Sequence, residues 1–357
     1  MTRRAFSRSL TPLFRDRRQI SRDFSSEKPR ISFRWLDLRG SGLSVLERLV
    51  MEECLLRHNE SNWLIVGAHS AHPHRFIQTS TPDYMIGSEN PNSAIVLGIG
   101  GKPNALLNKE LVRKEGCLAI KRFSGGGTVV LDHNSIWTTI IGRKSSIPID
   151  AFPNAIMEWS AEELFGPTFY RLRRRQKIME KRSNGNSKKQ RPTLVMDNKS
   201  CGAAENSGKV VQLERHESSV LKADQPSVPQ FALRENDYVL GERKMGGNAQ
   251  AIVKDGWLHH TSFLWDFDED NMAYLKLPDK RPEYRLDRSH RDFLVTLSET
   301  YSSLSKNDFQ KALLEALMER YDVKPASVMD AKMLVDGQGG LQHWFDNHSR
   351  TKILPEI

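Results

Sequence analysis

The stretch Lys121-Arg122-Phe123-Ser124-Gly125-Gly126-Gly127-Thr128 sets the tightest limit on what this chain can fold into. It follows a short apolar run, Leu118-Ala119-Ile120, that reads as a strand. Three successive glycines carry no Cβ, so a ligand can lie directly against the backbone, and the free N–H groups can bind anionic oxygen. A second loop, Lys244-Met245-Gly246-Gly247-Asn248-Ala249-Gln250, sets one lysine beside another glycine pair. Glycine pairs alone are common in turns. Two such loops, each with a cation, indicate a cleft for a negatively charged or carboxyl-activated ligand.

At 357 residues the chain has room for one large domain or two ordinary ones, plus tails. No run of about 18 apolar residues occurs, so no membrane span is expected. Cys54, Cys117 and Cys201 have neither paired nor metal-ligand spacing, which argues for a reducing compartment and against zinc. The net charge of +9 invites a nucleic-acid reading, but its location decides against one. Nine Lys/Arg against three acids in 1–30, and fourteen against five in 171–222, leave the rest of the chain at −6.

Residues 1–26 are rich in Arg and Ser, with Phe6, Leu10, Leu13 and Phe14 at roughly helical spacing. They fit a mitochondrial transit peptide within 1–30, which would place the protein in the mitochondrial matrix. Asp16 and Asp23 run against that pattern. Residues 171–230 open with a charge run and continue without sustained periodicity, so a disordered basic insert is expected there.

The remaining text mixes strands and helices without regular βαβ alternation, so the fold class expected is α+β. Strands are predicted over 33–38, 62–66, 93–97 and 117–122, with a hairpin formed by 129–131 and 136–141. Ser44 is placed to cap a helix with Leu46, Leu49, Val50 and Cys54 inward and Glu47, Arg48, Glu52 and Glu53 outward. A helix is expected over 156–164. Strand pairs follow at 231–233 with 238–240, and at 250–253 with 257–263. A last helix, 308–321, turns Phe309, Leu313, Leu314, Leu317 and Met318 inward.

Five segments, LERLVMEECLL, AIVLGIGGKP, KRFSGGGTVVLD, NDYVLGERKMGGNAQ and WLHHTSFLWDFD, occur in an order that resembles the lipoate–protein ligase A and lipoyltransferase branch of the biotin/lipoate ligase family. The resemblance covers residues 33–321, interrupted by the insert. It implies a catalytic domain over 31–325, with mixed sheets and flanking helices, and a tail over 326–357. It implies ATP, Mg2+ and lipoate or octanoate as ligands, with an acyl-AMP intermediate. The implied partners are the apo glycine-cleavage H protein and the E2 lipoyl domains of 2-oxoacid dehydrogenases, served by a monomer.

By the same resemblance Lys244 is the essential lysine, bridging acyl carbonyl and phosphate. Arg122, Ser124, Gly125, Gly126 and Gly127 fall on the acyl and adenylate loop, with Arg122 steering anionic groups. Asn236 and Asp237 lie on the nucleotide side, with Asp237 the candidate magnesium ligand. Gly246, Gly247, Asn248 and Ala249 flank the lysine. His259 and His260, adjacent on a strand, point to opposite faces and cannot chelate together.

The chain departs from the family pattern at Leu131-Asp132, where His-Asp is usual, at Asn134-Ser135, and at Lys121, where arginine is usual. The accessory C-terminal domain of the full-length ligases is also expected to be missing. The leading expectation is an ATP-dependent lipoate or octanoate ligase acting on apo carrier domains, and the missing domain speaks for its close rival, a lipoyltransferase using preformed acyl-AMP or a lipoylated carrier. A cysteine-dependent octanoyltransferase is disfavoured because Cys117 precedes the glycine loop's strand. A degenerate carrier-binding protein is the non-enzymatic alternative.

Overall fold

The Ser44 hydroxyl accepts from the Glu47 amide while the Glu47 carboxylate accepts from the Ser44 amide, so a capping box starts the first helix where the sequence predicts one. In the computed structural model, described for residues 30–67, 76–78, 93–187, 228–276 and 281–354, the chain opens with β1 (Ser32–Asp37), α1 (Val45–His58), β2 (Asn62–Gly67) and β3 (Ser93–Leu97). Then come α2 (Pro103–Leu106), α3 (Lys109–Lys114), β4 (Leu118–Lys121), β5 (Val129–Asp132), β6 (Ser135–Arg143), α4 (Pro153–Ser160) and α5 (Gly166–Ser187), the last two joined by a π-helical turn at Ala161–Phe165. Next are β7 (Phe231–Arg234), β8 (Asp237–Leu240), β9 (Arg243–Ile252), β10 (Gly256–Leu264) and the short helices α6 (Glu269–Met272), α7 (His290–Phe293) and α8 (Leu297–Thr300). The chain closes with α9 (Lys306–Arg320), β11 (Asp322–Ala326), α10 (Val328–Asp336), α11 (Gly340–Asn347) and β12 (Lys352–Ile353). Met1–Arg30 and Ile31–Ile357 are separate units. The first, with the expected transit peptide, lies outside the described residues apart from Arg30.

Among the described residues the strands form two sheets, one ordered β11-β1-β2-β6-β10-β9-β8-β7 and one ordered β12-β4-β3-β5. The first is mixed, with β1 parallel to β11 and β2 and the rest antiparallel. The α+β expectation therefore holds. Successive residues of β2 point to opposite faces. Leu64 and Val66 pack under α4, α5 and α9, while Trp63 and Ile65 meet α1 and the small sheet.

Several expectations change. β5 and β6 are not a hairpin: β5 pairs with β3 in the small sheet, and β6 pairs with β2 and β10 in the large one. The chain changes sheets at Asp132–Ser135, where the Ser135 hydroxyl donates to Asp132 and the Asn134 amide does the same. Glu47, Arg48, Glu52 and Glu53 are buried, not outward. α10 and α11 cover the side of α1 that a single layer would leave to water. There Glu53 takes Arg57, the Ser349 hydroxyl and the Arg350 amide.

The basic run from 171 folds as the continuation of α5, because Arg171 and Arg175 meet Glu315 and Glu319 of α9 while Phe169 and Leu172 are buried beside them. The rest of the expected insert, 188–227, lies outside the described residues. α9 buries Phe309, Leu313 and Leu317 as expected but leaves Met318 exposed. The C-terminal stretch 328–353 is folded onto the body, with β12 pairing β4 through Lys352 and Lys121.

Candidate active site

β4 delivers the glycine loop to the edge of a cavity of about 650 Å³, and β8 and β9 bring the lysine loop to the same cavity. The two loops interlock. The Gly125 amide donates to the Gln250 carbonyl at 2.8 Å. Gly126 has φ +89°, and a Cβ there would stand 2.5 Å from the Asn248 carbonyl oxygen. Gly126 thus serves the approach of one loop to the other while also lining the cavity, and a Cβ at Gly127 would meet nothing within 4 Å.

Arg122 is buried, and its guanidinium is consumed by its own loop. Nε donates to the Ser124 hydroxyl, Nη1 to the Val96 carbonyl, and Nη2 to the carbonyls of Gly125 and Gly127 at 2.6 and 2.7 Å. Burial pushes its pKa down to about 10. Arg122 lines the cavity, and these hydrogen bonds make its guanidinium hold the loop's shape. Ser124 and Gly125 sit behind the cavity wall, not on it.

Behind that wall one buried network joins the loop to α1. The Glu52 carboxylate accepts from Arg48 at 2.8 Å and from the Thr139 hydroxyl at 2.7 Å, and its other oxygen meets His260 Nε2 at 2.8 Å. With Nε2 donating to Glu52, Nδ1 is left to accept from the Ser124 hydroxyl at 3.2 Å. Every proton in the chain is thereby assigned: Arg122 to Ser124, Ser124 to His260, His260 to Glu52. Burial pushes the Glu52 carboxyl up, but Arg48 and His260 more than offset this and hold it below the usual carboxylate range. His260 is pushed down by burial, against the pull of Glu52.

His259, on the opposite face as predicted, anchors the other loop. Gln250 reaches its Nδ1 at 3.0 Å and Thr261 and Tyr238 reach its Nε2. The Thr261 hydroxyl donates to Asn248, whose amide donates to the Asn236 carbonyl. Burial and then His260 push His259 down to about 3.

Lys244, Asn236, Asp237, Gly246, Gly247, Asn248 and Ala249 all line the cavity. The Lys244 ammonium lies 2.7 Å from Asp237 Oδ1, and the Tyr284 hydroxyl donates to Oδ2 at 2.8 Å. Both oxygens of Asp237 are thus engaged. No group of three or more His, Cys, Asp or Glu among the described residues is placed to hold a metal. Asp237, the candidate magnesium ligand, is thus paired with Lys244 and Tyr284.

Val96, Val129, Leu131 and Trp137 form an apolar part of the wall, while Arg281, Arg285 and His290 add charge and polarity beside Lys244. Leu131, the departure from the family pattern, thus contributes apolar surface. Cys117 lies in a separate cluster with Ile95 and Ala119, off the cavity, and burial pushes its thiol up to about 11. Cys54 is buried on α1, and Cys201 lies outside the described residues.

Sequence reasoning missed Tyr284, Arg285 and His290, although arginines at 281, 285 and 288 in a short stretch were a readable signal of a basic cluster. It missed Glu52 by assigning it to water.

The model of the lipoyl protein ligase A/B catalytic domain matches residues 49–164 and 201–318, more than half of the chain. The chain belongs to that family. Among curated proteins it is similar to the inactive lipoate–protein ligase 2 of Plasmodium falciparum, 26% identical over 267 residues, covering 72% of this chain and 62% of that protein. The chain thus spans less than two thirds of that relative's length. Among solved structures, a lipoate-protein ligase A bound with ATP superposes with a TM-score of 0.52 at 16% identity, covering 90% of this chain and 95% of that one. A structure of the Thermoplasma acidophilum system, a bi-partite lipoate protein ligase and its E2 lipoyl domain, gives 0.54 at 15%, covering 89% and 93%. At such identities these likenesses establish the fold. In this lipoyl ligase fold Lys244 and the glycine loop converge on one cavity.

Proposed function

We propose that the protein is a lipoate–protein ligase, which forms lipoyl- or octanoyl-AMP from the acid and ATP and transfers the acyl group to a lysine of apo lipoyl domains. The observation that carries this is the Lys244 ammonium, held by Asp237 at 2.7 Å in a cavity that is apolar on one side and cationic on the other. In the first step a carboxylate oxygen attacks the α-phosphorus of ATP and pyrophosphate leaves. In the second, the carrier's lysine amine attacks the acyl carbonyl, the carbonyl–oxygen bond of the mixed anhydride breaks, and AMP leaves with its electron pair. Negative charge grows on the carbonyl and phosphoryl oxygens, and a fixed ammonium beside them lowers both barriers. The apolar wall excludes water, which would otherwise hydrolyse the anhydride.

The carriers in this reading are the glycine-cleavage H protein and E2 lipoyl domains, met by a monomer in the mitochondrial matrix. Support comes from the family, from the solved relatives named with ATP and with an E2 lipoyl domain, and from the basic N-terminal sequence. A second reading, transfer from preformed acyl-AMP without activation, is favoured by the similarity to a Plasmodium protein named as an inactive ligase.

The test is in-gel lipoylation of apo H protein by the full chain, with lipoate plus Mg-ATP in one tube and lipoyl-AMP in another. Product in both is the expected outcome for a ligase. Product from lipoyl-AMP alone makes the protein a transferase. Absence of product in either, with the H protein competent toward another ligase, rejects adenylate chemistry.

A further inference from the structure

The match to the family model ends at residue 318, yet residues 322–354 fold onto the body and reach the strand that carries the glycine loop. β4 has β3 on one side, and β12 covers the other. Lys352 pairs with Lys121 and Ile353 with Ile120, and the Leu354 amide donates to the Ala119 carbonyl at 2.9 Å. Adjacent strand residues point to opposite faces of a sheet. Ile353 accordingly packs against the cluster that holds Ile120 and Phe123, and Leu354 against the one that holds Ile95 and Ala119. These two residues pin β4 from both faces of the small sheet. Lys121, at the end of β4, directly precedes Arg122, whose guanidinium holds the carbonyls of Gly125 and Gly127.

A strand of two residues is too short to hold itself in place. The hold comes from Glu53 on α1, which is buried. One of its carboxylate oxygens accepts from the Ser349 hydroxyl at 2.8 Å and from the Arg350 amide at 3.0 Å, three and two residues before Lys352. Its other oxygen takes Arg57 at 3.0 Å. Hydrogen bonds to a carboxylate are stronger than those between neutral groups. Upstream, Leu341 and Trp344 of α11 are buried in one cluster with Leu46, Leu49 and Val50 of α1. Downstream, the Arg122 amide donates to the Leu97 carbonyl and the Gly125 amide to the Gln250 carbonyl. A contiguous path of packed and hydrogen-bonded groups thus runs from Glu53 through residues 349–354 and β4 to the glycine loop.

We propose that Glu53 is a positioning residue for the cavity: through the C-terminal strand it clamps β4 and so fixes the glycine loop in the shape its ligand needs. Glu53 does not line the cavity and acts only through Arg122 and its loop. Its neighbour Glu52 reaches the same loop by a different route, through His260 and Ser124. The two acids of α1 therefore hold the loop from two sides, one by side chains and one by a strand. The proposal deepens the adenylate reading, on which its ligand measurements rest, whereas its exchange measurements stand alone.

The experiment is amide hydrogen exchange and calorimetric binding of lipoyl-AMP, on the full chain and on its Glu53→Ala, Glu53→Gln and Leu354→Pro variants. Glutamine keeps one oxygen to accept from Ser349 and Arg350, and proline removes the amide that donates to Ala119. In Glu53→Ala and Leu354→Pro the Arg122 and Gly125 amides should exchange faster by about fivefold or more, and lipoyl-AMP should bind more weakly by about fivefold or more, the lower end of coupling between separate sites. Single-turnover transfer at saturating lipoyl-AMP should keep the wild-type rate, and Glu53→Gln should recover most of the affinity. Faster exchange confined to α1 and the C-terminal segment, with the glycine loop as in the wild type, overturns the clamp. So does wild-type affinity for lipoyl-AMP in both Glu53→Ala and Leu354→Pro. If Glu53→Ala melts early, Leu354→Pro and Ser349→Ala decide: unchanged glycine-loop exchange in both rejects the clamp. If the wild type does not bind lipoyl-AMP, the adenylate reading fails, and the exchange rates alone still decide the clamp.

Discussion

Arg122 and Arg285 stand on the walls of one cavity, both buried, and they are used in opposite ways. The first is saturated by four acceptors of its own loop and of β3. The second holds one long contact and an unpartnered nitrogen. The difference separates a guanidinium that fixes the shape of a loop from one with an unpartnered nitrogen. On the glycine-loop side, hydrogen bonds run without a gap from Arg122 to Glu52. On the Lys244 side, charge is concentrated and left incompletely paired. Preorganised donors of the second kind contribute most when an anion arrives.

The most drastic way to break this comparison is to empty the satisfied side. Glu52→Ala leaves Arg48 buried without its carboxylate and frees His260 from its fixed tautomer. Removing one partner of a buried ion pair costs about 3–5 kcal/mol. Urea denaturation should show a loss of that size, together with weaker lipoyl-AMP binding as the glycine loop loosens.

Next comes Gly126→Ala. Its Cβ would meet the Asn248 carbonyl at 2.5 Å in a left-handed backbone. The two loops must part, and strain of about 1–3 kcal/mol is expected. Differential scanning calorimetry should record a lowered melting temperature, and calorimetric titration a reduced affinity for lipoyl-AMP.

A pH titration probes both networks more gently. His259 is held neutral in the folded state, near 3, against 6.5 for the free side chain. The unfolded chain then binds more protons between those values, so stability falls as pH drops from about 6.5 toward about 3, by up to about 1.4 kcal/mol per pH unit. His260 and Glu52 shift downward as well and act in the same direction. Denaturation midpoints measured across this range should decline, and His259→Asn should flatten the decline. The smallest effect belongs to Tyr284→Phe. It releases Asp237 Oδ2 from one hydrogen bond, a change of about 1 kcal/mol, which a melting curve should resolve while acyl transfer persists.

Much of the architecture was readable because its signals are local. The Ser44 cap, the pairing of 231–233 with 238–240, and the β9–β10 hairpin are each written within a few residues. So are the two loops that meet in the cavity. What was not readable depends on partners far along the chain. Glu52 looks like a solvated helix residue until His260, 208 positions later, supplies its partner. Arg171 and Arg175 look like part of a disordered charge run until α9 presents Glu315 and Glu319. The sheet change between β5 and β6 needs the whole topology, since the sequence there resembles an ordinary turn. Arg285 escaped because a charged loop without period gives no hint of burial.

In the proposed reaction the Lys244 ammonium stabilises the charge that develops as the acyl group leaves AMP. The direct test is single-turnover transfer from lipoyl-AMP to an apo carrier domain, comparing the wild type with Lys244→Ala. A rate lower by about 100-fold or more is expected, the range for losing one preorganised oxyanion donor, with lipoate affinity unchanged and the protein still folded at the assay temperature. A Lys244→Ala protein that transfers within a few-fold of the wild-type rate would contradict it.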